Sequence, residues 1–235
     1  MRQVVLDTET TGLEPSQGHR IIEIGCVELI NRKFTGRTYH QYIKPDRAVD
    51  AEAVEVHGIT DDFLADKPDF AHVAADFFEF IRGSQLVIHN APFDVGFINH
   101  EFMWLDQAQG TSYGKVEDYC QVLDTLVLSR KMNPGSRHSL DALCKKYGID
   151  NSHRELHGAL LDSEILADVY LMMTGGQTAL NLASDAESEG EGGEITIRRL
   201  ATDRRSLPVI TADSEEMNRH NEKIEAIDGL WKQLQ

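Results

Sequence analysis

The stretch VVLDTETTG, Val4 to Gly12, constrains this chain more than any other, because it joins an apolar, strand-forming run to two acids set one residue apart. Side chains on a strand alternate faces, so Asp7 and Glu9 project to the same side. Two carboxylates together at the end of such a run form either a polar turn after an edge strand or half of a metal site. The second reading requires further acids brought in from elsewhere in the chain.

The segments around this stretch spell an α/β domain. Gln3 to Asp7 is expected as a strand, Ile21 to Ile30 (IIEIGCVELI) as a longer one, and Lys33 to Lys44 as its hairpin partner, giving a three-stranded meander. Phe70 to Gly83 has helical spacing and a Gly stop. Leu86 to Asn90 (LVIHN) is a buried-type strand, and Pro92 is placed to start a helix running to about Leu105. Gln121 to Thr125 (QVLDT) is expected as a further strand, SLDALCKKYGI as a helix ending near Gly148, and Gly158 to Met173 as a long amphipathic helix before Gly175 and Gly176. Residues 1–176 are therefore expected to form one domain.

Beyond it the character changes. Ala183 to Glu194 (ASDAESEGEGGE) holds five acids and three glycines and no large apolar residue, the composition of a flexible, self-repelling linker. The tail, 195–235, carries too little apolar surface for a core of its own and is expected to fold on a partner.

Charge limits what the chain can do. With 39 acids against 23 bases its net charge is −16, so it should not grip long nucleic acid unaided, because that affinity rests on Lys and Arg neutralising phosphates. Cys26, Cys120 and Cys144 are odd in number and lack metal-type spacing, which argues against a disulfide framework or a structural zinc site. There is no signal-peptide pattern at the N-terminus and no apolar run of about 20 residues, so the expected location is the cytoplasm.

Two further acids meet the requirement set by Asp7 and Glu9. Asp94, in HNAPFD, falls on the helical stripe of Phe97, Ile98, Phe102 and Leu105 and should point inward; taken alone it reads first as a first-turn acid favoured by the helix dipole. Asp162 lies on the apolar stripe of Leu166, Val169 and Met173, and no Lys or Arg sits at helical spacing to pair with it. A buried carboxylate is costly unless paired, protonated or metal-bound. His157, five residues before Asp162, would not share its helical face and is expected on the loop entering the helix, where it could serve as a cap, a surface residue or a group reaching over a site.

DTE, NAPFD and HGALLD, in that order and on those elements, resemble the three motifs of the DEDD exonuclease superfamily, in the histidine subtype. Together with IIEIG, VHGI (Val56 to Ile59), SLDALC, TGGQT and the acidic linker, they resemble the ε family of bacterial DNA polymerase III, the proofreading exonucleases. The resemblance implies a ribonuclease H-like mixed sheet flanked by helices, with a flexible C-terminal tail. It implies two divalent cations, Mg²⁺ or Mn²⁺, held by Asp7, Glu9, Asp94 and Asp162, with His157 as general base. It places Thr10, His57 and Phe93 around the terminal nucleotide, where each could also be a turn, core or packing residue. The implied partners are a frayed or single-stranded DNA 3′ end and a polymerase catalytic subunit bound by the tail. A small accessory subunit and a sliding clamp, the latter bound by Gln177 to Leu182 (QTALNL), are further expectations. The motifs alone do not choose DNA over RNA, so an exoribonuclease of the same superfamily stays open, as does a non-catalytic replication adaptor.

Overall fold

The structure, a computed structural model, describes residues 1–152, 154, 156–175 and 211–226. QTALNL, the acidic linker and most of the tail lie outside the described residues. A five-stranded mixed sheet runs in the order β3-β2-β1-β4-β5, built from β1 (Arg2–Thr10), β2 (Ile21–Ile30), β3 (Lys33–Tyr42), β4 (Gln85–Ile88) and β5 (Gln121–Asp124). The first three strands are the expected antiparallel meander, while β1, β4 and β5 are mutually parallel. Their C-terminal ends therefore open on one edge, which is where open α/β sheets bind ligands.

Strand alternation sorts β1 between two cores. Val4 and Leu6 pack with Ile24, Cys26, Leu86 and Ile88 under α3 (Phe70–Ile81) and α4 (Ala91–Gln109), where Phe77, Phe97 and Phe102 fill the interior. Val5 faces the other way, with Val27, Leu29 and Val87, onto Leu166, Ala167 and Tyr170 of α7 (Ala159–Gly175). Outside α7, Leu143 and Cys144 of α6 (Leu140–Tyr147) pack on Ile165 and Val169. All three cysteines are buried and free.

Three helices differ from the sequence expectation. Two are short, α1 (Ala51–His57) and α2 (Asp61–Leu64), and the third, α5 (Thr125–Met132), starts at the last residue of the expected strand. The Asp124 carboxylate turns strand into helix there by accepting from the backbone N–H groups of Leu126 (2.8 Å) and Val127 (3.1 Å). A separate helix, α8 (Ser214–Ala226), opens with a reciprocal cap in which Glu216 N–H donates to Asp213 (2.8 Å) and Asp213 N–H to Glu216 (3.1 Å). Among the described residues no helix is long and apolar enough to cross a membrane.

Candidate active site

β1 pairs with β4 only through Val5, yet runs on to Thr10 against β2, so Asp7 to Thr10 project past β4 at the open edge. The β4–α4 turn folds into the space beyond. Asn90 takes a left-handed φ of 69°, one of the few non-glycine residues that does so at low cost, and Pro92 starts α4 with Asp94 in its first turn. Asp94 is 3% exposed. It points inward as its stripe requires, and the Thr8 hydroxyl donates to its Oδ1 at 2.7 Å. All three residues of DTE thus serve the edge, the two acids from one face of β1 and the threonine from the other.

From the opposite side α7 brings Asp162, 5% exposed, one turn in from its start. His157 lies on the loop just before, half exposed, with its backbone N–H tied to the Val56 carbonyl of α1 (3.2 Å). Ligand atoms of Glu9, His157 and Asp162 all lie within 4.8 Å of one another. His157 Nδ1 is 3.3 Å from an Asp162 oxygen.

The electrostatics are those of crowded anions. Burial raises the Asp7 carboxyl well above the ordinary range, and Asp94, Glu9 and Asp162 raise it further. Glu9 is pushed up to about 8, by burial first and then by Glu23, Asp162 and Asp94. Burial likewise lifts Asp94 to about 7, against the hydrogen bond from Thr8. Asp162 goes the other way: burial acts to raise it, but hydrogen bonds from His157 and Arg154 hold it below the usual value.

No Lys or Arg stands at helical spacing to Asp162, but Arg154 reaches it from the loop before α7. Its guanidinium clasps both carboxylate oxygens, Nε to Oδ1 at 2.5 Å and Nη2 to Oδ2 at 2.6 Å. It also meets Asp141 at 2.9 Å and His157 Nδ1 at 2.9 Å. The pairing comes from a loop, which helical spacing cannot reveal. Glu23, opposite Glu9 on β2, was also missed as a site-building residue. Its Oε1 meets His40 at 2.7 Å, while its Oε2 accepts from the first N–H of α7, at Ala159 (3.1 Å). The signal was an acid inside the otherwise apolar IIEIG. Gly25 completes this seam, because a Cβ there would lie 2.2 Å from the Ala159 backbone, and Ser163 bonds the Gly25 carbonyl at 2.9 Å.

The three residues expected around a terminal nucleotide are dispersed around this cluster. Thr10 is buried, its hydroxyl donating to the Gly12 carbonyl at 2.6 Å. Phe93 is half-buried against Phe97, ring centroids 5.0 Å apart. His57, 6% exposed, ends α1; its Nδ1 accepts from Ile59 N–H at 3.0 Å, so Nε2 carries the proton, and among the described residues that buried atom has no partner in full hydrogen-bond geometry.

The family follows from comparison with known proteins. An exonuclease family model matches residues 4–170. DNA polymerase III subunit epsilon of Escherichia coli K12 is 52% identical over 240 residues, covering 98% of this chain and 97% of that one. The Haemophilus influenzae subunit epsilon is 58% identical over 205 residues, covering 86% and 77%. The chain belongs to the DNA polymerase III epsilon family of exonucleases. Among solved structures, exonuclease X in complex with 5′ overhanging duplex DNA matches with a TM-score of 0.54 and 28% identity over 75% of this chain and 95% of that one. An exonuclease I complex with single-stranded DNA, at 21% identity and a TM-score of 0.63 over 75% of this chain and 41% of its own, shares the fold.

Proposed function

We propose that this chain is a 3′–5′ exodeoxyribonuclease that removes mispaired nucleotides from DNA 3′ ends as the proofreading subunit of a replicative polymerase. The observation that carries this reading is the group of under-neutralised carboxylates around Asp7 at the open sheet edge, with an exposed imidazole beside them. Such a cluster fits hard divalent cations with all-oxygen ligands. Asp7, Glu9, Asp94 and Asp162 would hold two Mg²⁺ or Mn²⁺ ions, whose Lewis acidity supports hydrolysis of the phosphodiester by water.

The protein's own groups supply the rest. His157, with its backbone fixed to α1 and its ring open to solvent, takes the proton of the attacking water. Thr8 holds Asp94 in place, and Glu23 with Gly25 sets the start of α7 and hence Asp162. The His57 Nε2–H has no acceptor in full hydrogen-bond geometry among the described residues and offers a hydrogen bond to an oxygen of the terminal nucleotide. Thr10 shapes the turn beneath that nucleotide and Phe93 gives its base an apolar face. Residues 195–235 hold the polymerase catalytic subunit, 177–182 a sliding clamp, and a small accessory subunit binds the domain. Tethering then supplies the local DNA concentration that an acidic chain cannot secure alone.

The test uses primers with paired or mismatched 3′ ends and Mg²⁺. Release of nucleoside 5′-monophosphates from the 3′ terminus, faster from the mismatch and stopped by EDTA, is expected. Cleavage within the strand or from the 5′ end would overturn the reading.

A further inference from the structure

The acidity of the chain is not uniform. Thr125 to Tyr147, which spans α5, the loop after it and α6, holds five Lys or Arg residues (Arg130, Lys131, Arg137, Lys145, Lys146) and one acid, Asp141. All five cations are exposed, and none is in an ion pair among the described residues. Lys146 donates to Asn133. Asp141 does not neutralise them, because it is taken by Arg154 at 2.9 Å and by Asn151 at 2.9 Å.

This positive segment borders the carboxylate cluster on two sides. Thr125 begins α5 at the open edge, its hydroxyl 2.9 Å from Nδ1 of His89 in the turn that carries Asp94, and His138 returns to Ser129 of α5 at 3.1 Å. On the other side Asp141 joins α6 to Asp162 through Arg154. The helical rise of about 1.5 Å per residue puts Arg130 and Lys131 about 7.5 and about 9 Å along α5 from Thr125. A bland account exists for four of the cations, since Arg130 and Lys131 end α5 and Lys145 and Lys146 end α6, where cations suit the helix dipole. It does not cover Arg137, which belongs to neither helix, nor the meeting of the two helix ends, where Lys146 of α6 binds Asn133 just past α5.

We propose that α5, α6 and the loop between them form the phosphate track for the single strand whose 3′ end enters the cluster, holding its backbone upstream of the scissile bond. This rests on the exonuclease reading above. A polyanion reaching four carboxylates must be offset by cations close by, and this segment is basic, exposed and contiguous with the site.

The experiment uses the full chain carrying Arg130→Gln, Lys131→Gln, Arg137→Gln and Lys145→Gln. A control loses the same charge elsewhere, through Lys33→Gln, Lys67→Gln, Arg82→Gln and Lys115→Gln. Hydrolysis of dT12 with Mg²⁺ is followed against salt, beside the p-nitrophenyl ester of thymidine 5′-phosphate, which is too short to reach the segment. Expected for the first variant is a KM for dT12 raised tenfold or more at low salt, with turnover of the ester unchanged. The slope of log KM against log salt should fall by roughly 2 to 3, at about 0.7 for each phosphate that is no longer neutralised. Equal effects in the control would assign the result to net charge and overturn the track. So would an unchanged KM and slope, including the case in which the variant instead loses a protein partner in pull-down. If the wild type releases nothing from the 3′ end of dT12, the exonuclease reading itself falls; if it does and the variant matches it, the track alone falls.

Discussion

Glu28 and Glu9 are glutamates on neighbouring, hydrogen-bonded strands, 1% and 9% exposed, and the fold treats them in opposite ways. Glu28 accepts from Arg2 Nε at 2.7 Å, Thr35 at 2.9 Å and Arg37 at 3.0 Å. Burial acts to raise its pKa, but these partners hold it below the ordinary value. Glu9 is surrounded by Glu23, Asp162 and Asp94 and is pushed up to about 8. A buried acid that is fully partnered is architecture. One left among other acids costs stability, and that cost makes sense at a site that receives cations.

Removing a charge from each region should break the comparison most visibly. Asp7→Asn is expected to abolish nucleotide release while the metal-free domain melts at a higher temperature, because the group most opposed by its neighbours has become neutral. Mg²⁺ is expected to raise the melting temperature of the wild type and to have no such effect on this variant. Turnover within a few-fold of wild type would end the claim that the cluster is catalytic.

His157→Gln keeps the carboxylates and removes the proton acceptor, so turnover should fall by roughly 10² to 10⁴-fold. The Mg²⁺-induced rise in melting temperature should largely remain. Full activity in the variant would make His157 a structural contact of Asp162 and Arg154.

The contrast also predicts a pH dependence. Glu9 and Asp94 have folded-state values of about 8 and about 7, well above their ordinary 4.5 and 3.8. Between these limits the native state holds more protons than the unfolded chain, so this contribution is present below the ordinary values and lost as pH rises through the folded ones. In EDTA, thermal stability attributable to the cluster should fall by several degrees from about pH 5 to pH 8, and saturating Mg²⁺ should flatten the trend. A metal-free stability that rises across that window would contradict the crowding.

At the paired site the sign reverses. Glu28→Gln should leave activity intact and destabilise the domain by about 1–3 kcal/mol, the scale for a charged hydrogen-bond network deprived of one member. Chemical denaturation of both variants, read as midpoint and slope, separates the two regions. Equal stability changes of the same sign in Asp7→Asn and Glu28→Gln would erase the distinction.

Much of the candidate site was legible because it lies on regular elements. Alternation placed Asp7 and Glu9 on one face of β1, and helical spacing put Asp94 and Asp162 on buried stripes, where both are found. Arg154 was not legible, since its pairing with Asp162 depends on the path of a loop. Helix α1 was missed because its seven residues have only His57 buried, so packing rather than periodicity forms it. Glu23 could have been questioned as an acid within an apolar strand, but its bond to Ala159 N–H spans 136 residues, and no local rule predicts that partner.

Thr8 is easily passed over between two acids that claim the chemistry, and it gives the finest test of how the two regions differ. Its hydroxyl, on the opposite face of β1 from Asp7 and Glu9, donates to Asp94 Oδ1 at 2.7 Å and is the one hydrogen-bond donor that links β1 to α4 at the open edge among the described residues. Thr8→Val keeps the shape and β-branching of the side chain and deletes only that donor. Without it Asp94 keeps its burial and loses a bond that favours its charged form, so its pKa should rise further above about 7. Groups that orient a metal ligand commonly cost 10- to 100-fold in affinity or activity when lost, and a single neutral donor belongs near the lower bound. The expected result is a fall of about tenfold in apparent Mg²⁺ affinity, with turnover recovering toward wild type at saturating Mg²⁺. The deficit should shrink as pH rises, because higher pH restores the Asp94 anion that the hydroxyl had favoured. An equal loss at every Mg²⁺ concentration and pH would mean that Thr8 merely packs α4 against the sheet, as an architectural residue like those around Glu28.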